Sequence, residues 1–186
     1  PANAGTLSGN QNICDGSTTS FSTTGSGGNW SSANTGIATV SGSGVVTGQS
    51  AGSTTIRYIV PASGGCPSAT ATRTVNVTAP ANAGTISGNQ NICDGSTTTF
   101  TTSGSGGSWS SVNLGIATVS GSGVVTGQSA GTTTIRYIVP ASGGCPSATA
   151  TRTVNVTAPA NAGTLSGNQN ICDGSTTTFS STQPGG

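Results

Sequence analysis

The sequence predicts an all-β protein made of small antiparallel sandwiches in tandem. Short β-branched runs, each stopped by glycine, fill the stretch from Trp30 to Val60, which returns almost unchanged from Trp109 to Val139. One aromatic anchor followed by such runs is the pattern of a small sandwich. No segment spaces its apolar residues at helical intervals. Copies of one unit begin at Pro1, Pro80 and Pro159, a period of 79 (80 − 1) that divides the chain into residues 1–79, 80–158 and a partial copy, 159–186. The first two copies differ at eight positions, among them Leu7/Ile86, Ala33/Val112 and Thr35/Leu114. Solenoid repeats run to ~20–50 residues, so each copy here is expected to be a whole domain. A domain of roughly 80 residues is near the lower limit for burying an adequate core, so an additional staple is expected.

The elements of one copy follow in order. Pro1-Ala-Asn-Ala-Gly5, repeated at 80–84 and 159–163, is a linker too short and too proline-bearing to be a long tether. Thr6 to Cys14 reads as a first strand interrupted near Gly9, and Asp15-Gly16 as a tight turn. Ser17 to Thr24 alternates around Phe21, and Trp30 opens a third strand after the Gly25–Gly28 loop. Ile37–Val40 and Val45–Thr47 are short strands across the Ser41–Gly44 turn. Thr54 to Val60 places Ile56, Tyr58 and Val60 on one face. Ala69 to Val77 closes the unit with Val75 and Val77 inward; Arg73 shares that parity, which a bulge or an exposed strand end would resolve. The expectation is about seven strands in two sheets.

Charge excludes several functions. The chain has no Lys, Glu, His or Met; its ionisable side chains besides Cys and Tyr are Arg57, Arg73, Arg136, Arg152, Asp15, Asp94 and Asp173. Two arginines per copy make no basic footprint, so nucleic acid and anionic membrane are not expected partners. No apolar run approaches the ~20 residues of a membrane span, and no signal peptide is visible. The chain is expected to be a segment of something longer.

Trp30-Ser-Ser-x-Asn, Ile37-Ala-Thr-Val, Gly44-Val-Val-Thr-Gly and Ala51-Gly-x-x-Thr-Ile together resemble the bacterial immunoglobulin-like domain of group 2. Ile13-Cys-Asp-Gly-Ser and Gly65-Cys resemble a variant common in giant surface proteins of the Bacteroidota, including gliding-motility adhesins exported by type IX secretion. The match covers both full copies and the opening of the third. The resemblance implies tandem immunoglobulin-like β-sandwiches in an extracellular, cell-surface stalk or adhesin.

In that context Cys14, Cys66, Cys93, Cys145 and Cys172 read as disulfide partners, the fifth being odd because the third copy is partial. Zinc is disfavoured by the lack of histidine and of CxxC spacing. Cys14 is at the turn after the first strand, Cys66 in the loop before the last. In an immunoglobulin-like sandwich these loops lie at opposite poles, ~20 Å apart, whereas a disulfide needs Cα atoms within about 7 Å. That favours Cys14–Cys145 between copies, with Cys66 and Cys93 joined to further repeats. The alternative is Cys14–Cys66 and Cys93–Cys145 within copies. Without lysine, a Lys–Asn isopeptide staple is excluded.

The remaining candidates are chemically thin. Each Asp is the only acid in its copy, whereas calcium takes several carboxylates and a hydrolase needs two facing acids. Serine has no His or Lys to act as base. Trp30 and Trp109 are expected as core anchors on a central strand rather than sugar platforms. The glycine runs precede no helix, so they are not phosphate loops, and the sequons at Asn29 and Asn76 carry little weight. No enzyme activity, cofactor or metal is expected. The expected function is a structural stalk or spacer of a large secreted adhesin or filament, serving gliding motility or surface attachment. Its partners are neighbouring repeats of the same chain, with lateral self-association and surface polysaccharide left open. The rival is a carbohydrate- or surface-binding module acting through Asn29, Ala33 and Thr35, which become Ser108, Val112 and Leu114.

Overall fold

A computed structural model describes residues 1–182. Its regular elements are all strands, β1 to β20. Cα proximity groups Pro1–Ser87, Thr101–Ser110 and Arg136–Thr151 in one compact unit, and Gly88–Phe100, Ser111–Ile135 and the described residues from 152 onward in a second.

The first copy lies wholly in the first unit. Its strands are β1 (Leu7–Ser8), β2 (Asn12–Cys14), β3 (Thr18–Ser20), β4 (Ser22–Thr23), β5 (Asn29–Ser32), β6 (Ala38–Val40), β7 (Val45–Gly48), β8 (Gly52–Val60) and β9 (Ala69–Thr78). They form a four-stranded sheet, β2-β9-β8-β5, a three-stranded sheet, β3-β7-β6, and a β1-β4 pair. The expected seven strands in two sheets are thus nine in three, because both early strands break. Gly9, at φ 133°, lets the chain pass over the Phe21 ring, where an added Cβ would stand 2.5 Å from Phe21 Cδ1. Phe21 divides β3 from β4, and its amide donates to the Gly44 carbonyl at 2.8 Å.

The pairing of β2 with β9 is parallel, Asn12 opposite Asn76, Ile13 opposite Val77 and Cys14 opposite Thr78. All the other strand pairs of this copy are antiparallel. Ile13, Phe21, Ala38, Val46, Ile56, Val75 and Val77 fill the space between the sheets, with Trp30, Ile37 and Val40 packed against them. Phe21, 2 % exposed, is the largest fully buried side chain of the copy. Phe21→Ala should cost about 3–5 kcal/mol, the usual range for emptying an aromatic core site, read as a lower denaturant midpoint by circular dichroism.

Two expectations need correcting. Trp30 stands on β5, an edge strand of the four-stranded sheet rather than a central one, and is only half-buried. Arg73 needs neither a bulge nor a strand end, since the β8–β9 register runs unbroken from Gly52↔Val77 to Val60↔Ala69. Its guanidinium instead donates to the carbonyls of Leu7 at 3.1 Å and Gly9 at 2.7 Å, and stands 5.7 Å from the Phe21 ring centroid. The two carbonyls freed where the first strand breaks are what the inward arginine satisfies. Its Nε is buried without a hydrogen-bond partner.

The second copy repeats these features. In the first unit, β10 (Ile86–Ser87) pairs with β13 (Thr101–Thr102). In the second unit, β11 (Asn91–Cys93) runs parallel to the end of β18 (Ala148–Thr157), and β12 (Thr97–Thr99), β16 (Val124–Gly127) and β15 (Ala117–Val119) form a three-stranded sheet. The remaining strands are β14 (Ser108–Ser111) and β17 (Gly131–Val139). In the partial copy, β19 (Leu165–Ser166) pairs with β20 (Ser180–Ser181). There Phe179 is 53 % exposed, because residues 159–186 contain no counterpart of the strands that cover Phe21.

Candidate functional site: the Cys14–Cys145 junction

The site begins with a turn. After β2, the Asp15 amide donates to the Thr78 carbonyl at 2.9 Å, Gly16 to Gly48 at 3.2 Å and Ser17 to Cys14 at 2.9 Å. These bonds hold Cys14 beside the C-terminal end of β9. Cys66 lies before β9, at the opposite end of a ten-residue strand, about 33 Å away at ~3.3 Å per residue. A bond between Cys14 and Cys66 would need the Cα atoms within about 7 Å, so the parallel β2–β9 pairing closes that alternative.

The partner comes from the equivalent loop of the second copy. Ser142 and Cys145 exchange backbone hydrogen bonds of 3.2 and 2.8 Å, making a small closed turn. Cys14 and Cys145 are joined by a disulfide, with Cα atoms 4.6 Å apart and 131 residues of separation. Both fall in the first compact unit, and both are buried. Cys145 Sγ lies 3.2 Å from the Thr78 carbonyl oxygen and 3.4 Å from that of Ala79. A disulfide sulfur carries no proton, so these are packing contacts rather than hydrogen bonds.

Gly143 and Gly144 let the loop approach this closely. Both have positive φ, 57° and 86°, and Gly143 lies directly against the Thr78 side chain. A Cβ on Gly144 would stand 2.8 Å from the Asn12 carbonyl oxygen and 3.1 Å from Ile13 Cα, both rigid backbone. Gly65 has nearly the same backbone, φ 79°, but nothing within 4 Å of its added Cβ. Alanine at either position pays a left-handed strain of roughly 1–2 kcal/mol, and the difference between them isolates the junction contact. Gly144→Ala is expected to make Cys14–Cys145 reducible at lower dithiol concentration, while Gly65→Ala leaves it unchanged, as a dithiothreitol titration followed by alkylation would read.

The other sequence candidates stay apart. Cys66, Cys93 and Cys172 are free thiols, the first half-buried and the other two exposed. Among the described residues, no group of three or more His, Cys, Asp or Glu is placed to hold a metal ion. Asp15 and Asp94 occupy the turns after β2 and β11. Trp30 stacks at a tilt on Tyr58, centroids 5.0 Å apart, and the Tyr58 hydroxyl accepts from the Gly28 amide at 2.8 Å. Trp109, Tyr137 and Gly107 repeat this arrangement. The variable loop residues Asn29, Ala33, Thr35, Ser108, Val112 and Leu114 are all exposed, and of these Val112 and Leu114 are large and apolar. Sequence reasoning missed Thr78, Gly143 and Gly144; the Gly-Gly pair before each loop cysteine was the available signal. Among the described residues, no helix is long and apolar enough to cross a membrane.

No protein-family model and no curated protein matches the chain. Solved structures do. A C-terminal 282-residue fragment of intimin, in complex with the intimin-binding domain of the translocated intimin receptor, matches 83 % of this chain with a TM-score of 0.50 at 18 % identity. A Ca2+-stabilized, ice-binding adhesin of an Antarctic bacterium matches 90 % of the chain with a TM-score of 0.39 at 20 % identity, and surface layer protein SbsC, domains 1–6, matches 82 % with a TM-score of 0.30 at 20 % identity. This chain spans 64 % of the intimin fragment, 52 % of the adhesin and 25 % of the SbsC structure. Together with the sheets described above, the likeness to intimin establishes the fold as that of immunoglobulin-like β-sandwich domains.

Proposed function

We propose that this chain is a load-bearing spacer of an extracellular adhesin or filament, with a structural rather than enzymatic role. The observation that carries the reading is the disulfide that joins cysteines 131 positions apart and ties one copy of the repeat to the next. Near-identical copies suit a spacer, which needs length and continuity rather than a distinct site in each unit. A disulfide of this kind persists in oxidising compartments, which supports an extracellular location. The fold shared with the receptor-bound intimin fragment is compatible with a bacterial surface adhesin. The finer reading, a Bacteroidota surface protein of the gliding-motility type exported by type IX secretion, rests on the motif resemblance alone.

A second reading has its own observation. Ala33 and Thr35 are replaced by Val112 and Leu114, which expose apolar side chains on the β14–β15 loop of the second copy. That is where a binding module would differ from a spacer. A glycan array probed with the oxidised chain separates the two. No saturable binding is expected; saturable binding lost in Val112→Ala with Leu114→Thr would replace the spacer by a carbohydrate-binding module.

A further inference from the structure

We propose that the outer face of the β5-β8-β9 sheet binds a carboxylate-bearing polysaccharide, received by Arg57 in the first copy and by Arg136 in the second. On that face Ser31 stands opposite Arg57, and Arg57 opposite Thr72. Residues paired in this way project to the same side of a sheet. Ile56 and Tyr58, on either side of Arg57, are buried, which turns Arg57 outward. Arg57, Thr70, Thr72 and Thr74 are all exposed.

This patch is marked by polar capacity left open. Arg73 is turned to the carbonyls of Leu7 and Gly9, and Arg152 to that of Gly88 at 2.7 Å. Farther along the same face, Ser53, Asn76 and Asn12 hydrogen-bond one another. Arg57 and Arg136, by contrast, have no ion pair or hydrogen bond to any described residue. The hydroxyls of Ser31, Thr70, Thr72 and Thr74 have none either.

The patch recurs. Residues 54–78 are identical in sequence to 133–157, and Arg136, Thr149, Thr151 and Thr153 are exposed as their counterparts are. Arg57 is exposed with a copy after it in the chain, and Arg136 with a copy before it. Neither exposure depends on which neighbour is present.

Charge complementarity selects the ligand. A guanidinium offers only N–H donors, in a planar fork that matches a carboxylate. The hydroxyls beside it both donate and accept, as the ring hydroxyls of a sugar require. A densely charged polymer such as nucleic acid is held by many cations at once, whereas each copy here presents a single exposed one. Widely spaced acid groups with neutral sugars between them fit that pattern. The carboxylate meets Arg57, and neighbouring ring hydroxyls meet Ser31 and Thr72. One exposed ion pair is weak in water and screened by salt, so a short glycan that meets a single copy does not saturate it. A long polymer that meets Arg57 and Arg136 together is held at both. The inference adds a ligand to the spacer reading and does not rest on it.

The test passes the oxidised full chain over immobilised hyaluronate, which carries a carboxylate on alternate sugars, with dextran as the neutral control. The parent is expected to bind hyaluronate at low ionic strength, to elute in a salt gradient, and to run through dextran. Arg57→Gln and Arg136→Gln should each elute earlier, and the double variant should run through. Thr72→Val with Thr151→Val keeps the charge and the β-branched shape, and should also elute earlier than the parent. A parent that runs through, or a double variant that is retained, would overturn the proposal. So would threonine variants that elute with the parent, which reduce the effect to plain ion exchange, or binding to dextran sulfate with none to hyaluronate. Peptide mapping reads Cys14–Cys145 in every sample. With that bond intact, failure to bind removes this inference alone; loss of the bond removes the spacer reading.

Discussion

Stretched from its two ends, the oxidised protein is expected to withhold about 450 Å of chain that the reduced protein releases. The figure is the 131-residue separation of Cys14 and Cys145 at ~3.5 Å per extended residue. Unfolding either copy while the bond is intact cannot lengthen the molecule by that amount, because the load passes from Cys14 to Cys145 through the sulfurs. Only residues before Cys14 and after Cys145 remain extensible. Reduction should therefore add large unfolding steps to a force–extension trace, and Cys145→Ser should show the same steps without reductant. Traces that are equal in length with and without reductant would remove the mechanical role.

The second large effect is on stability. Closing a loop defined by a 131-residue separation contributes about 5 kcal/mol on the chain-entropy model, comparable to the whole stability of a small domain. Cys145→Ser should lower the denaturant midpoint accordingly. Cys66→Ser, which removes a half-exposed thiol with no bond, should stay within about 0.5 kcal/mol of the parent, as surface changes usually do. The pair of variants isolates the bond from the chemistry of replacing a thiol. Equal midpoints for the two would mean that the bond contributes nothing to the folded state.

Much of this was legible in the residues, and the reasons for the exceptions are local. Period-two runs bounded by glycine or proline placed β6, β7, β8 and β9 to within two residues, because a strand with one buried face must alternate. The splitting of the early strands was harder to see. Nothing in Thr6 to Cys14 states that Leu7 pairs with Thr23 while Ile13 pairs with Val77; that switch is decided by the Phe21 ring beneath Gly9. Arg73 looked misplaced for the same reason, since the carbonyls it satisfies exist only once the strand has broken. Trp30 drew attention through its size, yet the smaller Phe21 holds the deeper position, on a segment flanked by threonines and serines with little periodicity of its own.

The junction was partly legible. Turn chemistry placed Cys14 at one end of the unit and Cys66 at the other, and geometry then disfavoured a bond between them. The seat of the partner loop was not legible, because Thr78, Gly143 and Gly144 become a surface only when β2 lies parallel to β9.

The most direct test is a peptide map of the full chain, alkylated in acid and digested with trypsin without reduction. The peptides 58–73 and 137–152 are identical, so an exposed Ser68→Thr change is introduced to make the Cys66 peptide heavier by one methylene. The expected product is peptide 1–57, carrying Cys14, bonded to the lighter peptide that carries Cys145. Peptide 1–57 bonded to the heavier one, or recovered with Cys14 alkylated, would contradict a covalent junction between successive copies.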